Sequence, residues 1–449
     1  MSFPRPERTR RIVYVSRQHG RESLRSARAL RELERVRLLC ICEQTPNAGA
    51  AEVYADVICV DDVHNADQLI AAARRLGAKH GALDQIVTVQ ETLLEAVAQA
   101  SEALRLQGMS AATVRRVLDK SCLKRILGQA GIATARDRII KSDAEARRFA
   151  HEVGFPLVLK PLGGSGGLAT WCVRNAEQLE LALELLDPSS HDPVLAEIYL
   201  HGQELCIDTI TIENEPRFHS ICCYRPSILE ALENPRVQWT CMMPRDMEGE
   251  PFREFIEQGL TAVRALSVGS AMTHMEGFLL DEGGLSFTDA TLRPAGARIA
   301  PMLAFAYDID PYGAWARVAV DGCFDGPWER KYAVGTIFLR GTGDGLVEQV
   351  EGIESARRRV GELVVEARLP RVGATKSATY TGDGYITVRH PETVAVEDAL
   401  QLIAQTVRIS YSQAAHTQAA HVEQWSQRLQ HFDKQLNKPA WDDDSLPSL

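Results

Sequence analysis

Short apolar runs separated by amphipathic stretches open the chain. Residues 11–16 (RIVYVS), 37–42 (RLLCIC), 56–60 (DVICV) and 85–89 (QIVTV) have strand length and composition. Between them the apolar positions switch to helical spacing, over 22–35, 65–77 and 91–105. Strands alternating with helices predict a parallel α/β layer over residues 1–115. No G-x-G-x-x-G follows the first strand. The layer is therefore expected to be Rossmann-like in shape without a dinucleotide fingerprint.

From Asp119 the pattern changes. Leu123, Ile126, Leu127 and Ala130 form one helical stripe, and Gly131 is its natural stop. SDAE (142–145) reads as a capping box, and NAEQ (175–178) opens a further helix. Strands are expected at 157–159, 193–200, 204–213 and 217–224. They predict a small α+β lobe over 116–203 and a larger one over 204–331. Runs at 333–339, 345–352, 362–369 and 384–390, with a helix at 394–407, predict a β-rich C-terminal α+β domain over 332–430. Residues 431–449 are expected to be a flexible tail.

Two segments carry candidate chemistry. In FPLVLKPLGGSGGLAT (155–170) a buried strand runs into Lys160 and then Gly163, Gly164, Ser165, Gly166 and Gly167. The usual phosphate loop has its lysine after the glycines, with a helix following; here the lysine comes first, on the strand. The second segment is THMEGFLLDEGGLSFTDATLRPAGARIA (273–300). Alternation over 274–280 and 285–293, with turn chemistry in DEGG, predicts a hairpin. A symmetric two- or four-residue loop sets Glu276 opposite Asp289 and His274 opposite Thr291, with Arg293 on the same face. A three-residue loop would put the two acids on opposite faces. Facing carboxylates repel, so they call for a cation between them. An all-oxygen set favours Mg2+ or Mn2+. An exposed hairpin face bearing acids by chance is the competing reading.

The chain has 449 residues, 45% hydrophobic and 24% charged, with a formal net charge of −10. Without a basic block it is not expected to bind nucleic acid, and no apolar run reaches membrane-spanning length. The N-terminus lacks an apolar signal core. The ten cysteines lack paired zinc-type CxxC spacing and read as reduced, mostly buried thiols, the Cys40/Cys42 pair included. A cytoplasmic protein is expected.

In order along the chain, four motifs resemble the ATP-grasp superfamily, and the resemblance covers nearly the whole sequence. Asp119 and Lys120 look like the family's DK. Lys160 with the glycines looks like its strand lysine and mobile lid. VLAEIYLHGQE (194–204) is similar to its hinge strand and G-x-E. HMEGFLL and FTDATLRPAG look like its metal-binding strands. The resemblance implies α/β and α+β architecture, ATP and Mg2+ (or Mn2+). It assigns Lys120 and Lys160 to the phosphates, Glu197, Ile198, Tyr199 and Leu200 to the adenine slot, and Glu204 to the ribose. Glu276, Asp289 and Thr291 become metal ligands. Arg293 would stabilise an acyl phosphate and the tetrahedral intermediate, with His274 supporting the site. Asp289 stands where the family usually has glutamate, and Thr291 where it has asparagine.

The layout, with EIYLHGQELCIDTI (197–210) and the β-rich C-terminal segment, resembles the L-amino-acid ligases. That implies an ADP-forming carboxylate–amine ligase acting on small molecules, with homodimerisation open. A biotin-carboxylase-like or carrier-protein-acylating enzyme, or a non-catalytic ATP-binding module, are the alternatives. Arg225 and Arg245 are candidates for holding a substrate carboxylate, with residues 224–243 forming part of the substrate wall.

Overall fold

A computed structural model describes residues 8–162, 170–234, 236–343, 345–377 and 379–412. The glycine-rich segment Gly163, Gly164, Ser165, Gly166 and Gly167, and the expected tail at 431–449, lie outside the described residues.

The amino-terminal layer is parallel. Strands β1 (Arg10–Ser16), β2 (Val36–Cys42), β3 (Asp56–Cys59) and β4 (Gln85–Val87) are ordered β3-β2-β1-β4. The near-continuous apolar character of β1 and β2 follows from burial on both faces. Ile12, Tyr14, Cys40 and Cys42 share a core with helix Arg21–Glu32, while Val13, Val15, Leu39 and Ile41 pack with Leu69 and Leu76 of helix Ala66–His80. The expected helix at 91–105 begins as a 3-10 turn, Glu91–Leu93, and continues as Leu94–Ala103.

The small lobe is a four-stranded antiparallel sheet of β5 (Asp137–Ile140), β6 (Leu157–Pro161), β7 (Trp171–Val173) and β8 (Val194–Ile198), ordered β5-β8-β6-β7. Phe149, Leu159, Trp171 and Leu183 fill its core. Ser142 and Asn175 cap its helices by accepting from Glu145 N–H and Gln178 N–H, but the box expected at SDAE is half formed, because the Glu145 carboxylate accepts from Lys141 N–H at 2.8 Å.

The remaining strands are β9 (Gly202–Ile212), β10 (Glu215–Arg225), β11 (Trp239–Met243), β12 (Ala271–Leu280), β13 (Leu285–Thr291), β14 (Ala333–Leu339), β15 (Val347–Glu351), β16 (Val364–Arg368), β17 (Gly384–His390) and β18 (Arg408–Tyr411). Eight of them form one sheet, ordered β13-β12-β9-β10-β11-β14-β17-β16. The segment expected as a separate C-terminal domain thus continues the sheet of the large lobe through the β11–β14 pairing. Strands β15 and β18 pair with each other. Helix Ile299–Tyr307 has no helical periodicity to read, because seven of its nine residues are buried. Among the described residues no helix is long and apolar enough to cross a membrane.

Candidate active site

The hairpin of β12 and β13 sets Glu276 opposite Asp289 and His274 opposite Thr291. The expected pairing is present, but not by the expected turn. Leu280 N–H donates to Gly284 O at 3.0 Å, and Gly283 N–H donates to Leu280 O at 2.9 Å. The loop is therefore the three-residue Asp281, Glu282, Gly283, which alone would separate the acids. A bulge corrects the register. Gly277 pairs with Phe287 and Glu276 with Asp289, so Thr288 is the extra, unpaired residue. Close approach at the bulge requires glycine: a Cβ on Gly277 would lie 2.8 Å from Ser286 O and 3.0 Å from Phe255 Cε2.

On one side of the acid pair, a cleft runs between the two lobes. Val158, Ile228, Leu232 and Phe278 supply apolar walls, and Tyr199 and Leu200 follow β8 along it. Glu197 stands at its centre, with Lys160 Nζ 2.5 Å from one carboxylate oxygen and Lys124 on the other. Burial alone would raise the Glu197 pKa, but Lys160 and Lys124 outweigh it and hold the group below the usual carboxylate range. Lys124 also donates to Ala135 O at 2.8 Å. Asp119 caps helix Lys120–Gln129 through Cys122 N–H, and this aims the buried Lys120 inward. Its Nζ lies 3.1 Å from Asp289 Oδ2. Burial opposes the charge on Lys120, but the field of Asp289, Glu91 and Glu197 raises its pKa.

Glu204 faces the same cleft from β9. It accepts the Ile228 N–H at 2.6 Å, and burial, reinforced by the nearby Glu276, pushes its pKa up to about 8. Gly202, just before it, has φ of +152°, and a Cβ there would sit 2.0 Å from Leu279 O. Only glycine lets β9 start this close to β12.

On the other side, a smaller pocket is lined by Tyr224, His274, Thr291, Arg293, Ile299 and Tyr380, together with both acids. His274 bridges Asp208 (3.0 Å from Nδ1) and Glu276 (3.3 Å from Nε2). Burial works against charge on His274, yet Cys206 and Asp208 together hold its pKa well above the ordinary value. Arg293 donates to Glu91 through Nε (3.1 Å) and Nη2 (2.7 Å), and through Nη1 to Pro294 O. The amino-terminal layer therefore reaches the site through Glu91.

Residues 119–204 match the family model described as carbamoyl-phosphate synthase L chain, ATP binding domain. A carbamoyl phosphate synthase large chain from Agathobacter rectalis is 29% identical over 111 residues, 24% of this chain and 10% of its own length. This chain thus spans about a tenth of that relative's length. The uncharacterized protein y4rH of Sinorhizobium fredii (strain NGR234) is 22% identical over 360 residues, 78% of this chain and 73% of that one. The L-amino acid ligase from Bacillus licheniformis superposes with a TM-score of 0.73 at 18% identity, over 91% of this chain and 100% of that one. The chain has the ATP-grasp fold.

ATP-grasp enzymes use ATP and Mg2+. The residues here fit both. The cleft joins an apolar slot to two lysines, and the two acids face across the bulged hairpin. The Thr291 hydroxyl is buried with no hydrogen-bond partner and lies beside them, a free oxygen where a hard cation would need one. Of the residues singled out in the sequence, Lys120, Lys160, Glu197, Ile198, Tyr199, Leu200, Glu204, Glu276 and Asp289 line the ATP-grasp cleft. His274, Thr291 and Arg293 line the adjoining pocket. Arg225 and Arg245 do not join them. Arg225 pairs with Glu397 at 3.2 Å, and Arg245 donates to Pro391 O, both on the outside. Sequence reading missed Lys124, Glu91, Asp208 and Tyr380. Lys124 carried a signal, one helical turn after Lys120 and so on the same face, and Asp208 closes the stretch EIYLHGQELCID, four residues after Glu204 and so on its face of β9. The helix Ile228–Glu233 also had one, the S-x-x-E of SILE (227–230), which forms a complete capping box.

Proposed function

We propose that this ATP-grasp protein is an ADP-forming ligase joining a carboxylate, an amino acid, to an amine. The observation that carries the reading is the position of Glu276 and Asp289 between two pockets. The cations Lys120 and Lys160 stand on one side, and Arg293 on the other. In this reading Lys120 and Lys160 hold the phosphates of ATP, and Ile198, Tyr199 and Leu200 flank the base. Glu204 takes the ribose hydroxyls. Glu276, Asp289 and Thr291 would hold Mg2+ (or Mn2+), which would supply charge neutralisation at the phosphates.

The acid substrate lies in the smaller pocket, its carboxylate against Arg293. One carboxylate oxygen attacks the γ-phosphorus, the bond to the β,γ-bridging oxygen breaks, and ADP departs. The neutral amine then attacks the acyl carbon, phosphate leaves with both electrons of the acyl C–O bond, and the nitrogen gives up one proton to the departing phosphate. Phosphoryl transfer of this kind needs alignment and charge stabilisation rather than a protein nucleophile. The guanidinium of Arg293 offers a planar fork of donors suited to carboxylate and phosphate. His274, held by Asp208, orients Glu276. The apolar and aromatic lining, Tyr224, Ile299 and Tyr380, supports a substrate with an apolar side chain.

The test is phosphate release with Mg·ATP across pairs of amino acids and amines, with mass detection of products. Release that requires both an acid and an amine supports the ligase. Release driven by bicarbonate, or by an acyl-carrier protein as acceptor, supports the corresponding alternative. Nucleotide binding without any turnover identifies a binding module. Arg293→Ala separates the roles: nucleotide binding persists in a ligase while turnover falls by roughly 100-fold or more.

A further inference from the structure

We propose that the amino-terminal layer carries a zinc site built from His19, Cys40 and Cys42, with Cys59 at its edge beside Cys42. The sequence spacing reads these cysteines as ordinary reduced thiols. The fold brings them together from three separate segments. Cys40 and Cys42 lie two residues apart on β2 and so share one face. His19 sits on the turn between β1 and helix Arg21–Glu32. Its ring and the Cys40 and Cys42 thiols each offer a donor atom within 4.8 Å of the other two. Cys59 pairs with Cys42 in the parallel register of β2 and β3. Their sulfurs are 3.8 Å apart. A tetrahedral zinc with Zn–S bonds of ~2.3 Å holds its sulfurs about 3.8 Å from one another.

Two further observations point to a ligand. His19 Nδ1 contacts Tyr54 Oη at 3.2 Å, while Nε2 is buried with no hydrogen-bond partner. A phenol that fixes one ring nitrogen leaves the other as the metal donor, the usual outer-shell arrangement for a coordinating histidine. Cys40 and Cys42 are fully buried, whereas Cys59 is exposed, which provides an entry path. The donor set of two sulfurs and one imidazole selects Zn2+ over Mg2+ or Ca2+ and leaves a fourth position on the side of Cys59. The site lies at the carboxyl ends of the parallel strands. It would tie the turn before helix Arg21–Glu32 to β2 and β3, and that helix in turn bonds the large sheet through Arg21, to Tyr385 Oη (3.1 Å) and Glu366 (3.0 Å). The role is structural and does not depend on the ligase reading.

The experiment uses the full chain, loaded with Zn2+ and freed of excess by gel filtration, with metal measured by mass spectrometry. The expected result is one Zn2+ per chain, lost in Cys42→Ser and in Cys40→Ser. Tyr54→Phe should bind about 10–100-fold more weakly. Cys206→Ser is the control, because Cys206, Asp208 and His274 form another compact cluster beside the acid pair. It should retain the metal. Co2+ added to the wild-type chain should give the thiolate charge-transfer and tetrahedral d–d bands, a readout independent of how any variant folds. A wild-type chain that holds no stoichiometric Zn2+ overturns the proposal. So does octahedral Co2+ without thiolate bands, or metal lost in Cys206→Ser and kept in Cys42→Ser.

Discussion

Glu276 and Asp289 face each other because Thr288 is extruded from β13, not because the hairpin loop is symmetric. The bulge therefore sets the geometry of the acid pair. Glu276→Ala and Asp289→Ala should each lower phosphate release by at least about 100-fold at saturating Mg·ATP. Raising Mg2+ should recover part of the loss in Asp289→Ala if Glu276 alone retains the ion. A Mg2+ titration of turnover checks this, and wild-type rates in either variant would remove the pair from the site.

The bulge also predicts a stability effect. Gly277→Val would drive new carbon atoms into Ser286 O and the ring of Phe255. Overpacking of this kind costs about 1–3 kcal/mol. Denaturant unfolding should report that loss, together with weakened metal dependence as the register loosens.

Glu197 joins Lys124 to Lys160 in a buried triad. Glu197→Gln should destabilise the chain by about 3–5 kcal/mol, since Lys160 loses its counter-charge and Lys124 keeps only Asp137, 3.4 Å away. The Glu197 pKa is held low, so its stabilisation is fully present above the unfolded carboxylate value and is lost as pH falls through the folded one. Wild-type unfolding curves should therefore lose stability in acid more steeply than those of Glu197→Gln.

Glu204 has the opposite sign. Its pKa is raised to about 8 by burial, so the folded chain binds a proton that the unfolded chain has released between the two values. Its contribution is present below the unfolded carboxylate pKa and is lost as pH rises through about 8. The single group accounts for a slope of up to about 1.4 kcal/mol per pH unit in nucleotide-free protein. Glu204→Gln should flatten melting temperature against pH over this range; an unchanged profile would place the carboxylate in a more polar setting.

Glu91, from the amino-terminal layer, accepts two N–H bonds from Arg293. Glu91→Gln should lower kcat/KM for the acid substrate by about tenfold, while nucleotide affinity changes by less than about twofold. Isothermal titration with nucleotide and steady-state kinetics on the same preparation separate the two.

Much of the architecture was legible because it is local. The runs 333–339 and 384–390 are strands with those bounds, since a buried strand is a contiguous apolar segment with turn residues at its ends. Ser142 and Asn175 act as caps because a cap depends on residues three apart. Lys120, Lys160, Glu276 and Asp289 could be singled out in order along the chain, because each sits in a short motif.

What the chain alone could not decide is which distant groups meet. That Glu276 pairs with Asp289 depended on an extruded Thr288, whose one trace in the sequence is the three-residue step from Phe287 to Ala290 between the buried apolar positions. Glu91, Lys124 and Asp208 enter the site from other elements, so no spacing along the sequence relates them to Arg293, Lys160 or His274. Cys42 and Cys59 read as separate thiols until parallel pairing of β2 with β3 brought their sulfurs together. Local propensity and periodicity act over a few residues, and so they determined the elements. Sheet register and lobe packing act between residues far apart in sequence, and so only the tertiary structure decided the chemistry at their meeting points.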